Sequence, residues 1–158
     1  MEFVKKPTIF IAKINMGKKK MTAIEEVGKD VVVGFIELYF DSTFKTVCKR
    51  LKIKPFEYKI VMSTKTTKNN ASTTLKPITN EYIVKFDQKW LEISNMYMIK
   101  RTICHEVAHC ISLYMNYQNE GTAFLLKVGT AKDKNKYLHD KTWETIFKSL
   151  GYSIDYDY

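Results

Sequence analysis

The segment Cys104-His105-Glu106-Val107-Ala108-His109-Cys110 sets two histidines four residues apart with a glutamate directly after the first. On a helix, positions i and i+4 stand one turn apart on the same face, so both imidazoles can reach a single ion. Glu106 flanks them where it can hold a water. This is the pattern of zinc-assisted hydrolysis, in which the ion acidifies a water and polarises a carbonyl while the glutamate takes the proton and returns it to the leaving group. Zn2+ is therefore the expected ion, His105 and His109 two of its ligands, and Glu106 the general base. Burying such a polar trio among Ile103, Val107 and Ile111 would be costly without a compensating partner, and a metal is one.

A catalytic zinc takes a third protein ligand and keeps a fourth position open. His139 is the one histidine left in a chain with 3. It precedes an apolar pattern, Trp143, Ile146, Phe147 and Leu150, that predicts a last helix over Thr142–Leu150 with Asp140 or Thr142 as N-cap and Gly151 as the stop. Packing Trp143 and Phe147 on the motif helix would bring His139 to the ion. Glu120 and Glu144 are the competing third ligands, Glu120 ahead of Gly121 and Glu144 beside Trp143. Cys104 and Cys110 face other sides of the helix and are expected as small core residues.

The elements that must carry these groups follow from periodicity. Met98, Ile99, Ile103, Val107, Cys110, Ile111 and Tyr114 predict a long helix over residues 95–117. Ile24, Val27, Val31, Phe35, Leu38 and Tyr39 predict helix from Thr22 to about Leu51, broken or restarted at Asp41-Ser42. Alternation at Phe56, Tyr58, Ile60 and Met62, and again at Tyr82, Val84 and Phe86, predicts two strands. The polar run Ser63–Thr74 reads as the loop of their hairpin, and Asp87 as the start of a short helix containing Trp90 and Leu91. Residues 118–137 read as a long loop or insertion with a short apolar piece at Phe124-Leu125-Leu126. The expected fold is thus α+β: a small antiparallel sheet packed with the long motif helix and flanking helices.

With 158 residues, 45% of them apolar, and only 6 Gly and 3 Pro, the chain can build one packed core. Residues 1–21 read as a basic N-terminal extension and 22–158 as the domain. The absence of any apolar run of membrane-spanning length argues against a membrane protein, and the short apolar piece Ile9–Ala12 is no signal-peptide core. The 3 cysteines include no Cys-x-x-Cys pair, so neither a disulfide framework nor a zinc ribbon is expected and an intracellular, unsecreted protein is. The net charge of +9 is one-sided: residues 1–80 hold 16 Lys/Arg against 7 Asp/Glu, residues 81–158 hold 10 against 10. Such a surplus attracts polyanions. Lys45, Lys49, Arg50, Lys52 and Lys54 would cluster at the end of the first helical region, with Phe56 or Tyr58 available to stack on unpaired bases, or else in the core.

Taken together, Thr102-Ile103-Cys104-His105-Glu106-Val107-Ala108-His109 and His139-Asp140-Lys141-Thr142-Trp143, the latter followed by Phe147 and Leu150-Gly151, resemble the SprT-like family of zinc metallopeptidases, which includes proteases of DNA–protein crosslinks. The similarity spans residues 22–152. It implies a zincin architecture, His105, His109 and His139 as zinc ligands, Glu106 as catalytic acid/base, and an endopeptidase acting on DNA-bound proteins, with non-specific DNA, single-stranded DNA included, as partner. Two other readings remain open at this stage: a general intracellular zinc peptidase with no DNA role, and a basic DNA-binding module with a structural zinc.

Overall fold

The computed structural model describes residues 21–65 and 69–154. All but Met21 of the basic extension expected over residues 1–21 lies outside the described residues. Within them the chain is α+β, with seven helices and a three-stranded sheet.

A short helix α1 (Ala23–Val27) starts from a capping box in which Glu25 N–H donates to Thr22 Oγ1 at 3.2 Å and Thr22 N–H donates to Glu25 Oε1 at 2.8 Å. Gly28, at φ +91° and ψ 156°, ends α1 and opens α2 (Lys29–Leu51). That backbone region is open in practice only to glycine, which fixes the break here. From there α2 runs unbroken for 23 residues. The break expected at Asp41-Ser42 does not occur. Asp41 turns its carboxylate outward instead, accepting from Tyr58 Oη at 2.8 Å and pairing with Lys45 at 2.8 Å, so its side chain competes for no backbone group. Val32, Ile36, Phe40, Phe44 and Val47 form the buried stripe of α2.

The sheet consists of β1 (Lys59–Ser63), β2 (Ala71–Lys76) and β3 (Glu81–Asp87) in the order β1-β3-β2. Its topology corrects the expected antiparallel hairpin. The polar run Ser63–Thr74 is not simply a loop: it supplies most of β2, which pairs antiparallel with β3 in the register Thr73↔Val84. β1 lies on the other edge of β3, parallel to it, with Ile60↔Val84. The β-branched pair Thr73-Thr74 suits an edge strand despite its polarity. Central β3 buries Tyr82, Val84 and Phe86, the alternation visible in the sequence, and ends at Asp87, whose carboxylate caps α3 (Gln88–Glu92).

The motif helix α4 (Met96–Glu120) is capped by Asn95 and buries Ile99, Ile103, Val107, Cys110 and Ile111. It is the hub of the fold, packing against α2, against β2 and β3, and against the last helix. Residues 118–137 are not a loop: after Gly121 the chain forms α5 (Thr122–Thr130), with Phe124 buried, and then the single turn α6 (Asn135–Leu138). The chain then enters α7 (Lys141–Ser149), which buries Trp143, Ile146 and Phe147 as its spacing predicts.

Phe56 and Tyr58 belong to an aromatic cluster rather than to a nucleic-acid face. Phe56 stacks on Tyr114 with centroids 4.1 Å apart, and Tyr58 packs on Phe40 and Phe44 at 4.8 and 4.9 Å. These contacts favour the core role for both rings. Lys45, Lys49, Arg50, Lys52 and Lys54 are exposed.

Candidate metal centre

Two helices deliver the three histidines. His105 and His109 project from successive turns of α4, and His139 is the residue that ends α6, its N–H donating to the Asn135 carbonyl at 2.8 Å. Asp140 follows immediately and caps α7, accepting Trp143 N–H at 3.0 Å through Oδ1 and Asn116 Nδ2 at 2.9 Å through Oδ2. The second bond ties the His139 turn directly to α4. Of the two expected caps, Asp140 serves and Thr142 does not.

The three Nε2 atoms converge. His109 Nε2 lies 3.0 Å from His105 Nε2 and 3.0 Å from His139 Nε2, and the third edge of the triangle is 3.3 Å. A tetrahedral ion with metal–nitrogen bonds of about 2.0–2.1 Å spaces its ligands by about 3.3–3.4 Å, which the His105–His139 edge matches and the two 3.0 Å edges approach from the short side. In the tautomers that carry the proton on Nδ1, the three Nε2 lone pairs face one another, and a bound cation turns that repulsion into attraction. The donor set therefore fits a metal ion, and these three histidines are the group that could hold one among the described residues.

The surroundings keep the ligands neutral and oriented. Burial first, then the His139 ring and the Arg101 guanidinium, pushes His105 down to about 3, and burial, with the His105 and His139 rings, takes His109 well below its usual range. Burial likewise lowers His139 to about 4. Neutral imidazole is the form that binds metal. His109 also has a backbone hydrogen bond to Leu138, and with Nε2 in the triangle this fixes which ring nitrogen keeps the proton. Trp143, 1% exposed, braces the cluster from behind: its ring meets His105 and His139 edge-on with centroids 4.9 and 4.5 Å apart.

Glu106 is 3% exposed and stands between the triangle and the edge strand. Its Oε2 is 4.0 Å from His105 Nε2, and its Oε1 accepts from Thr73 Oγ1 at 2.7 Å. Because His105 is neutral, the 4.0 Å approach is not an ion pair. Burial raises the Glu106 carboxyl to about 7, and the Thr73 bond opposes that rise. A nearby cation would favour the carboxylate further.

A cleft of about 500 Å³ opens over the site, bordered by Ala71 and Thr73 of β2, by Arg101, His105 and Glu106 of α4, and by His139. Every residue singled out for the metal chemistry lines it or abuts it. The competing ligands do not: Glu120 is paired with Lys127 at 2.6 Å on the surface, and Glu144 is flanked by Lys148 at 3.4 Å and Lys141 at 3.8 Å. Cys104 and Cys110 are buried core thiols outside the histidine group. Thr73 is the site residue that sequence reasoning missed, and β-propensity of the Thr73-Thr74 pair was the available signal. Compared with protein-family models, curated proteins and solved structures, the chain matches none of them.

Proposed function

We propose that the protein is a zinc-dependent endopeptidase of the SprT-like, zincin type. The observation that carries this reading is the pairing of a three-histidine triangle with a buried glutamate whose second oxygen lies 4.0 Å from the His105 nitrogen, both at the floor of an open cleft. A structural zinc would call for a fourth protein ligand, and among the described residues the cluster has three. A polypeptide substrate is favoured because β2, with β3 on one side only, borders the cleft as an edge strand and offers main-chain groups to an extended chain.

A zinc ion held by the three Nε2 atoms would supply a water acidified to a pKa of about 7 and polarise the scissile carbonyl. Glu106, with Oε2 facing the histidines, would accept the proton of a water that adds to the carbonyl carbon, and would return it to the amine nitrogen as the carbon–nitrogen bond breaks, ending the cycle as it began. Thr73, bonded to Oε1, leaves Oε2 for this transfer.

DNA is proposed as the partner that presents substrates. The exposed cations Lys49, Arg50, Lys52 and Lys54 at and just beyond the end of α2, with the one-sided charge, favour it over a role without nucleic acid. The test is cleavage of an unfolded protein such as casein by the zinc-loaded chain, with and without single-stranded DNA. Cleavage by the wild type, stimulated by DNA and abolished in Glu106→Gln with zinc retained, is the expected result. Activity undiminished in Glu106→Gln removes the proposed base, and DNA-independent activity at full rate removes the DNA role.

A further inference from the structure

We propose that Thr73 is a positioning residue for the general base, holding the Glu106 carboxylate in one orientation from the edge strand; this rests on the peptidase reading. Thr73 Oγ1 lies 2.7 Å from Glu106 Oε1 and 3.5 Å from the Glu106 main-chain oxygen. Among the hydrogen bonds of the site, this one reaches the carboxylate from outside α4.

A glutamate side chain has a freely turning terminal carboxylate, whose two oxygens are interchangeable until something distinguishes them. Here the hydroxyl does so. Oε1 takes the hydrogen bond, and Oε2 is left facing the histidines at 4.0 Å from His105 Nε2. A base that must meet a water and then an amine nitrogen gains from an oxygen fixed in place, because each transfer requires hydrogen-bond reach.

Thr73 is itself well anchored. It pairs with Val84 in the middle of the β2–β3 ladder, and Val84 is fully buried in the central strand. The carboxylate is therefore referenced to the sheet as well as to its own helix. Since Ala71 and Thr73 both line the cleft, a polypeptide lying along β2 would bear on the strand that orients the base.

The test compares Thr73→Val, which keeps the shape and the strand propensity but removes the hydroxyl, with Thr73→Ser, which keeps the hydroxyl. The expected result is a kcat on a peptide substrate about 10–100-fold lower in Thr73→Val with KM within about 2-fold, and recovery to within about 3-fold in Thr73→Ser. The side-chain carboxyl resonance of Glu106, assigned by its loss in Glu106→Gln, gives a second readout without catalysis or added metal. It should shift in Thr73→Val and stay near the wild-type position in Thr73→Ser. A Thr73→Val kcat equal to wild type, or a Thr73→Ser variant as slow as Thr73→Val, overturns the proposal. Should the wild type cleave nothing, the peptidase reading fails by itself and the resonance alone decides: a shift in Thr73→Val upholds the positioning contact, and an unmoved resonance overturns it.

Discussion

Trp143 Nε1 donates to the main-chain carbonyl of His105 across 3.2 Å, so the last helix is bonded to the very turn of α4 that carries the first histidine of the triangle. The same indole lies edge-on to His139, four residues before it in the chain. One side chain therefore braces two histidines that are 34 residues apart in sequence. The histidine triangle is built on this contact as much as on the motif helix.

Replacing Trp143 should separate stability from metal affinity. Trp143→Ala empties a fully packed position and is expected to cost about 3–5 kcal/mol in urea unfolding. Trp143→Phe keeps most of the packing and loses the donor, so it should cost about 1 kcal/mol of stability but about 10–100-fold in zinc affinity, read by competition with a chromophoric chelator. Equal zinc affinity in Trp143→Phe and wild type would show that the indole bond does not orient the ligands.

Asp140 has two tasks, and two variants divide them. Asp140→Ala removes the α7 cap and the Asn116 bond together, and is expected to lower stability by about 1–2 kcal/mol. Asn116→Leu leaves the cap intact but frees the His139 turn from α4. It should weaken zinc binding about 10-fold with a smaller stability loss, measured by the same competition and by thermal unfolding.

Much of this site could be read from the sequence because it rests on local rules. His105, Glu106 and His109 follow from the motif and its helical spacing, and His139 from being the one histidine left, ahead of a Trp143 and Phe147 stripe expected to face α4, with Glu120 and Glu144 as the alternatives that the sequence leaves open. Thr73 could not be read in the same way. It lies in a run of Ser, Thr, Lys and Asn with no apolar alternation, and its place beside Glu106 depends on β2 joining the sheet at the far edge of β3. Pairing order is a long-range property that two strand patterns do not determine. Similarly, Asp41-Ser42 has the composition of a helix break, yet the Tyr58 hydroxyl and Lys45 occupy Asp41 and α2 continues; Gly28 breaks the helix by its backbone freedom instead. Residues 122–130 turned out helical because Phe124 packs into the core, a contact that only the tertiary fold creates.

The metal-free protein should lose stability in mild acid. His105 and His139 titrate near 3 and 4 when folded, against about 6.5 for an unfolded histidine, so between those values the unfolded chain binds more protons. Their contribution is complete above about pH 6.5 and is lost as pH falls through the folded values. Glu106 works the other way. Raised to about 7, its contribution is present below about pH 4.5 and is lost as pH rises through 7, so it offsets part of the histidine effect. His109 is held well below its usual range too, so with three histidines against one carboxyl the melting temperature of the chelated protein is expected to fall by roughly 5 °C or more between pH 7 and pH 5. A His105→Gln, His139→Gln double variant should show a smaller fall, and an equal fall would place the acid sensitivity elsewhere.

Zinc stoichiometry, by elemental analysis of the purified chain, bears most directly on the three-histidine centre. One zinc per wild-type chain, retained in Glu106→Gln and Glu120→Ala and lost in His139→Ala, is the predicted result. A wild type that binds no zinc after metal-replete refolding, or a His139→Ala variant that keeps its full zinc, would contradict it.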